Sequence, residues 1–490
     1  MTIGPRPPAP LSGAQPVRLL LVNPTVVGKP EHLHIGLGTV ASYISQHSDH
    51  VVEVADFAAI RRRWKDVLKK RIQQFRPTVV GMHITTPYFP SARVVADEIK
   101  RLDPSIFVLG GGHHCTFSPE QVIAHPTIDA LVVGEGEKPI VLFLDAYASG
   151  GDLLEVPGLW FKEGGELKKS DKTTLLDPAD IPSIDWSSHD QETLRRVFFL
   201  WGVLPVMASR GCPSKCSFCA INTMQELYRG EKFLRFRDPI EVVDEIEGQY
   251  EQFKHLGLRI VFFYDLNFLL RPKWLKAFTD EYKRRGLNKT LKWSAYTRAD
   301  HINDRVLEAL EDSGCVNLRI GIESANPEMR NAILNKELAQ DTLEDAIASI
   351  KALGIAVTGY FIAGSPGERP EWLLESLDFA YKHGVEFPAF FQYKPLAGTS
   401  VLDMADALGS HVVQESMEEQ ADFLNGVNMT HQHIEAWQLK AFLTLTHVLF
   451  GSRLISAQYR REGPAYLTRL AKYFAMTSKL GFTPYMAFSY

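Results

Sequence analysis

The sequence predicts an α/β protein: a doubly wound, Rossmann- or flavodoxin-like domain, then a partial (β/α)6 barrel, then a helical C-terminal region. Three observations carry this. Short apolar runs alternate twice over with amphipathic helix-like stretches. A connector of prolines and polar residues divides the two series. The chain has 490 residues, more than one ordinary core organises.

The first series opens with Val17-Arg18-Leu19-Leu20-Leu21-Val22, an apolar run stopped by Asn23-Pro24 and therefore a buried strand. Val40 to Gln46 reads as helix, Val51 to Ala55 as strand two, and Arg61 to Phe75 as amphipathic helix. Thr78 to Met82 is strand three, Ser91 to Leu102 helix, Ile106 to Leu109 strand four and Ala130 to Val133 strand five. Gly164-Gly165, between two short extended pieces, marks a hairpin in the connector. The second series has strands at Val203–Ala208, Ile260–Tyr264, Lys292–Tyr296, Asn317–Ile322, Val357–Ala363 and Ala389–Tyr393. Its helices are Pro239–Phe253, Pro272–Arg285, Asp304–Ser313, Ala339–Leu353 and Pro370–His383. Trp437–Leu449 and Tyr466–Leu480 are the clearest C-terminal helices. The expected boundaries are a disordered tail over 1–16, domains over 17–150, 201–400 and 401–490, and a linker over 151–200.

Composition narrows the functional classes. The net charge is −5 and basic residues are scattered, apart from one cluster at helical spacing from Arg61 to Arg71, so nucleic-acid binding gains no support. No run of about 18 apolar residues exists to span a membrane, and the Pro-rich start lacks a signal-peptide core. A cytoplasmic location is expected. Five cysteines, three of them within eight residues, argue for metal ligation over a disulfide framework.

Those three, Cys212, Cys216 and Cys219, lie just past the first strand of the second series, where a barrel carries its chemistry. Their C-x3-C-x2-C spacing lets one tight loop wrap a corner of a cubane. Iron–sulfur clusters usually take four cysteines, so three ligands leave one iron open. Zinc normally requires four closed ligands, and Cys315 or a histidine from elsewhere in the chain would have to complete it.

With Phe218 before the last cysteine, the motif resembles the signature of radical S-adenosylmethionine (SAM) enzymes. The resemblance implies a 4Fe-4S cluster that splits SAM into methionine and a 5′-deoxyadenosyl radical, fed by an electron donor such as flavodoxin or ferredoxin. It extends over about 200 residues. Tyr264-Asp265-Leu266-Asn267 ends the second barrel strand where related enzymes carry an acidic pair, which implies Asp265 or Asn267 at the SAM amino group. Their Gly-Gly-Glu motif is absent. Glu323 or Ser324, after the fourth strand, is implied at the SAM ribose or amino group. Gly364, in Gly364-Ser365-Pro366-Gly367-Glu368, and Pro395-Leu396-Ala397-Gly398-Thr399 resemble two further family turns. Arg298 ends the third strand, placed either to meet the SAM carboxylate or to pair with a neighbouring acid.

The N-terminal series is similar to the cobalamin-binding domain that precedes the barrel in one large radical SAM subgroup. The matching residues are Gly36 and Gly38, Gly110-Gly111-Gly112-His113, and Gly134-Glu135-Gly136-Glu137. A flat corrin and its nucleotide tail need small residues there. The Asp-x-His-x-x-Gly motif of cobalamin mutases is absent, so His32 and His34 are not expected on cobalt. Thr85, Thr86 and Tyr88 are candidates for lining the lower face, and Cys115 reads as a small buried hydrophobe.

Together the resemblances imply a cobalamin-dependent radical SAM methyltransferase acting on an unactivated carbon, or less often phosphorus, of a small molecule or peptide. Rearrangement or ring formation, including anaerobic oxidative cyclisation, stays open within the subgroup. A non-catalytic cobalamin or redox sensor is the alternative from another class.

Overall fold

The computed structural model describes residues 15–26, 33–60, 63–189, 194, 195, 198, 202–396, 398–413 and 429–462. The expected N-terminal tail through Ala14, His32 and the Tyr466–Leu480 helix lie outside them. The chain divides into two compact units. Among the described residues, the first comprises those up to Leu194 together with Ala220–Arg235, and the second the remainder.

In the first unit, strand β1 (Arg18–Asn23) sends alternate side chains to opposite faces. Leu19 and Leu21 join one apolar core, with Leu37, Ala41, Ile44, Phe143 and Leu144. Leu20 and Val22 join another, with Leu68, Phe75, Ala92, Val95 and Ile99. A strand buried on both faces reads as a continuous apolar run, which is how β1 reads in the sequence. The helices that cover it are α1 (Ile35–His47), α2 (Trp64–Phe75), α3 (Phe89–Leu102) and α6 (Glu137–Ser149). Two helical turns, α4 (His113–Phe117) and α5 (Pro119–Ile123), follow the fourth strand.

The sheet order is β2-β1-β3-β4-β5-β6-β7, with β2 Val51–Asp56, β3 Val79–His83, β4 Phe107–Gly111 and β5 Ala130–Val132. Strands β1 to β5 are parallel. The expected hairpin, β6 (Leu159–Glu163) and β7 (Glu166–Lys169), continues this sheet antiparallel to β5. Its inward side chains, Leu159 and Phe161, bury in the first core, which is why the connector is tied down. A further helix, α7 (Ile221–Leu227), belongs to this unit.

The second unit holds six parallel strands in chain order: β8 Val203–Val206, β9 Ile260–Phe263, β10 Lys292–Thr297, β11 Cys315–Glu323, β12 Ala356–Ala363 and β13 Phe387–Gln392. Consecutive order is barrel order, because each right-handed crossover advances one strand. The helices between strands are α8 (Pro239–Phe253), α9 (Pro272–Arg284), α10 (Asp304–Leu310), α11 (Gln340–Ala352) and α12 (Pro370–Lys382). Three of them begin with proline, at Asp238-Pro239, Arg271-Pro272 and Arg369-Pro370, where proline gives up no hydrogen bond, and a fourth is capped by Asn303, whose side chain accepts from Val306 N. The C-terminal region is not wholly helical. A small hairpin pairs Ser410–Val412 with Met429–His431 before α13 (Ala436–Glu462). No described helix is long and apolar enough to cross a membrane.

Candidate active site

The cysteine loop is gripped by two distant segments and closed by a bond of its own. Ser217 N donates to Leu334 O at 3.0 Å and Ser217 Oγ to Ile333 O at 2.6 Å. Asn335 Nδ2 donates to Lys215 O at 2.8 Å, and Val401 N to Ser217 O at 3.1 Å. Cys219 N closes the turn on Cys216 O at 3.1 Å. The gripping segment follows a turn of π-helix, Glu328–Ile333. Its Asn335 and Glu337 hold left-handed φ values of 47° and 52° on either side of Lys336. Such strain persists only where surrounding bonds fix it, and it clusters at functional sites. Nothing in the local sequence announced this segment, because its role rests on pairing with residues more than 110 positions away.

Phe218 packs beside Met329, Leu334, Tyr393 and Val401, with Lys336 Nζ 5.9 Å from its ring centre. Cys216 is buried, whereas Cys212 and Cys219 are half-buried. Burial pushes the Cys216 thiol up, while Lys336 and Arg298 nearby favour the thiolate. Among the described residues no three His, Cys, Asp or Glu side chains converge on one point. A cubane does not ask for that, since each sulfur binds a different iron.

Around this loop the strand ends carry charges held in pairs. Asp265, 1% exposed, accepts from Ala208 N at 3.1 Å and from Ser209 Oγ. Burial lifts its carboxyl to about 6 against those hydrogen bonds. Its oxygens thus hold the chain leading into the cysteines, a use the motif resemblance did not indicate. Asn267 differs. Its Oδ1 accepts from Thr297 Oγ1 at 3.3 Å, but its buried Nδ2 has no partner. A buried orphan donor is rare and points to an absent acceptor. Glu323 adopts a left-handed φ of 64°, and its carboxylate accepts from Lys336 Nζ at 2.8 Å. Ser324 Oγ accepts from Asn326 N at 3.3 Å, and Ser324 O from the buried Arg330 at 3.1 Å.

Arg298 forks onto Asp300, with Nε–Oδ1 at 2.9 Å and Nη2–Oδ2 at 2.8 Å, and Nη2 also donates to Lys336 O at 2.7 Å. The ion pair with a neighbouring acid, one of the two roles left open for it, is formed. The remaining nitrogen, Nη1, donates to Cys216 Sγ at 3.4 Å. Gly364, at φ 78°, lies where a Cβ would sit 2.6 Å from Leu439 of α13. Gly364 N and Ser365 N donate to the Glu368 carboxylate at 2.5 and 3.2 Å. Glu368 is fully buried, and burial lifts it to about 8.

Within the same unit, Tyr296, Tyr360 and Phe391 come from β10, β12 and β13, with ring centres 5.8 and 5.6 Å apart in succession. Arg319 of β11 lies 4.1 Å from the Phe262 ring centre and donates to Tyr360 Oη at 3.2 Å. None of these five was singled out from the sequence, where each reads as an ordinary strand residue.

The carboxyl ends of the first unit are built differently. His34 caps α1, its Nδ1 accepting from Leu37 N at 3.2 Å. Its ring lies 4.1 Å from His83 at the end of β3, and His83 lies 6.2 Å from His113. Burial lowers all three, His34 to about 4, so this surface is one of neutral imidazoles. His83 was not among the expected residues.

The expected glycines have separate reasons. A Cβ on Gly112, at φ 95°, would lie 2.8 Å from the His83 ring, and one on Gly36 would lie 3.3 Å from His34. On Gly38 it would strike Ile184 at 2.7 Å, and on Gly134 the Tyr228 hydroxyl. On Gly136 it would make ordinary contact with Ile140 at 3.5 Å. Only on Gly111, of these, would it meet nothing within 4 Å. The corrin argument for small residues therefore applies by open space to Gly111, while four of the others make room for this unit's own side chains.

Glu135 N donates to Tyr228 Oη at 2.8 Å, and its carboxylate pairs with buried Arg235 and accepts from Leu176 N at 3.0 Å. Thr85 precedes a helical turn, Thr86–Tyr88; it and Tyr88 are half-buried, as is Thr86, whose Oγ1 lies 3.2 Å from His114 Nδ1. Cys115 is fully buried.

The donor sets fit the implied cofactors. Three thiols on a braced loop, with an N–H aimed at one sulfur, suit a cluster. The orphan Asn267 donor suits SAM, and the open Gly111 beside neutral imidazoles suits a flat, largely apolar ring.

Comparisons with known proteins agree. Residues 206–380 match the radical SAM superfamily and residues 25–144 the B12 binding domain. An uncharacterized methyltransferase of Pyrococcus horikoshii, PH0819, is 32% identical over 379 residues, 76% of this chain and 78% of that one. An anaerobic magnesium-protoporphyrin IX monomethyl ester cyclase of Cereibacter sphaeroides is 28% identical over 67% of this chain, which spans 53% of the cyclase. The fold is that of the radical SAM methyltransferase TsrM from Kitasatospora setae, whose structure carries cobalamin and a [4Fe-4S] cluster. The TM-score is 0.68 at 21% identity, over 81% of this chain and 77% of TsrM. With both domain families matched in this order, the chain belongs to the cobalamin-dependent radical SAM enzymes, the family of the methyltransferase PH0819.

Proposed function

We propose that the chain methylates an unactivated carbon of a small molecule that has a flat, unsaturated part. The observation that carries the substrate class is the layer of partly exposed Tyr296, Tyr360 and Phe391. Aromatic faces receive a flat group.

When bound, the cofactors supply hydrogen abstraction through SAM cleaved at the cluster, and the methyl group through cobalamin. The protein's part is binding and positioning. Cys212, Cys216 and Cys219 hold the cluster. Asn267 Nδ2, Glu323 and Ser324 are placed for the polar groups of SAM, and Gly364 stays small beneath Leu439. In the first unit, Gly111, Gly112, His113, Thr85, Thr86 and Tyr88 offer a surface for cobalamin, with His83 among them. Glu135 and Gly134 support that surface through Tyr228 and Arg235. The reductant is a low-potential one-electron donor of the flavodoxin or ferredoxin type.

Anaerobic enzyme loaded with cluster and cobalamin, given SAM and candidate substrates, is expected to form 5′-deoxyadenosine and S-adenosylhomocysteine in similar amounts. Mass analysis of the product then separates the two readings. A gain of one methyl supports this function. Deoxyadenosine with an unmethylated, cyclised product supports the second reading, ring formation, which the match to the cyclase favours.

A further inference from the structure

We propose that Arg298 is a positioning residue that raises the reduction potential of the cluster through its hydrogen bond to Cys216, with Asp300 holding that bond in place. The inference rests on the cluster reading above and adds a control that the cysteine motif does not contain.

The geometry is specific to one sulfur. Arg298 has one edge of its guanidinium fixed by the fork to Asp300 and by the bond to Lys336 O, which leaves Nη1 directed at Cys216 Sγ, 3.4 Å away. Cys216 is the buried member of the triad, 6% exposed, and Arg298 is itself 8% exposed. Little water therefore competes for the bond, and the charge acts across a poorly screened gap. Lys336, 5% exposed, adds a second cation, but its ammonium is paired with Glu323.

Hydrogen bonds to cluster sulfurs and nearby charge are among the determinants of cluster potential. The step affected is the one-electron reduction of the oxidised cluster by the external donor, a flavodoxin- or ferredoxin-type protein in the cell. No bond forms or breaks in it. The reduced cluster carries one more negative charge, so a donor and cation at Cys216 stabilise it more than the oxidised form. Asp300 orients the guanidinium but also offsets part of its charge. Removing the cation and removing its counter-charge should thus move the potential in opposite directions.

The test is a potentiometric titration of the reconstituted holoenzyme, followed by the electron paramagnetic resonance signal of the reduced cluster. Iron and sulfide content are measured on each sample. Arg298→Met should titrate below the wild type, with about a tenfold smaller reduced fraction at fixed donor potential, equivalent to ~59 mV for one electron. Arg298→Lys should fall between them, and Asp300→Asn should titrate above the wild type. SAM cleavage by Arg298→Met should fall under reduced flavodoxin and recover under titanium(III) citrate, a stronger reductant. If Arg298→Met does not take up iron, Arg298→Lys and Asp300→Asn carry the comparison. Coincident midpoints in loaded samples overturn the inference while leaving the cluster reading intact, and so does a shift of both substitutions in one direction. A wild type without iron and sulfide overturns both.

Discussion

The two units close their strand ends with opposite chemistry. In the first, β1, β3 and β4 lead to glycines and to three imidazoles kept neutral by burial. In the second, β9 to β11 lead to Asp265, Arg298–Asp300 and Glu323–Lys336, each ionic group held by a stated partner. A neutral floor suits a large flat ring, whose binding comes from area. A set of locked charges suits a cluster and a zwitterionic cofactor. Charges in a dry site must be paired before a ligand arrives, or the site pays in stability.

The sharpest way to break this contrast is to remove a sulfur. Cys216→Ala should abolish cluster iron and reduce deoxyadenosine formation to background, while cobalamin still binds with its usual absorption spectrum. Loss of both cofactors would mean that the first unit's surface does not stand without the cluster.

A glycine test follows within the first unit. Gly134→Ala forces a Cβ into the Tyr228 hydroxyl at φ 91° and should destabilise by about 3 kcal/mol in denaturant titration. Gly111→Ala meets open space and should change stability by no more than ~0.5 kcal/mol while weakening cobalamin binding. Equal effects from the two would remove the distinction between glycines that make room for side chains and the one that leaves a face open.

For the second unit, Asp265→Ala leaves Ala208 N without its acceptor and should cost about 2 kcal/mol in thermal unfolding. The native carboxyl, at about 6, stays protonated at pH values where the unfolded one, near 3.8, has ionised. The native state then binds more protons, so this group makes stability fall as pH rises from about 4 to 6. Asp265→Asn should remove that slope.

Glu368 has the same sign over a wider window. Its native carboxyl sits at about 8 against 4.5 unfolded, so stability falls as pH rises from about 4.5 to 8. Glu368→Gln keeps an acceptor for Gly364 N and Ser365 N, and its melting temperature should match wild type near pH 4 and exceed it at pH 8.5. An identical pH profile would show that Glu368 does not titrate in this window.

Much of the fold was legible because buried parallel strands leave unbroken apolar runs. The β1 run and the six strands of the second unit are found within a few residues of their expected bounds. Helix α6 was missed, since its apolar residues follow a Gly-Glu-Gly-Glu motif read only for ligand contact. The β6–β7 hairpin was seen, but its place in the main sheet was not, because pairing with β5 leaves no local mark. In the site, the cysteines and strand-end turns were legible as short motifs. Arg298 was legible as a cation, but not its partner.

Residue types and spacing by themselves determined two wound α/β halves, a three-thiolate loop and glycine-rich strand ends, because each is written in a few consecutive positions. Tertiary structure alone decided that Arg298 meets Cys216, that Asn335 and Ser217 brace the loop, and that Gly112 makes room for His83. Those outcomes depend on groups brought together from distant parts of the chain, and which partner a buried polar group finds is set by packing, not by its neighbours in sequence.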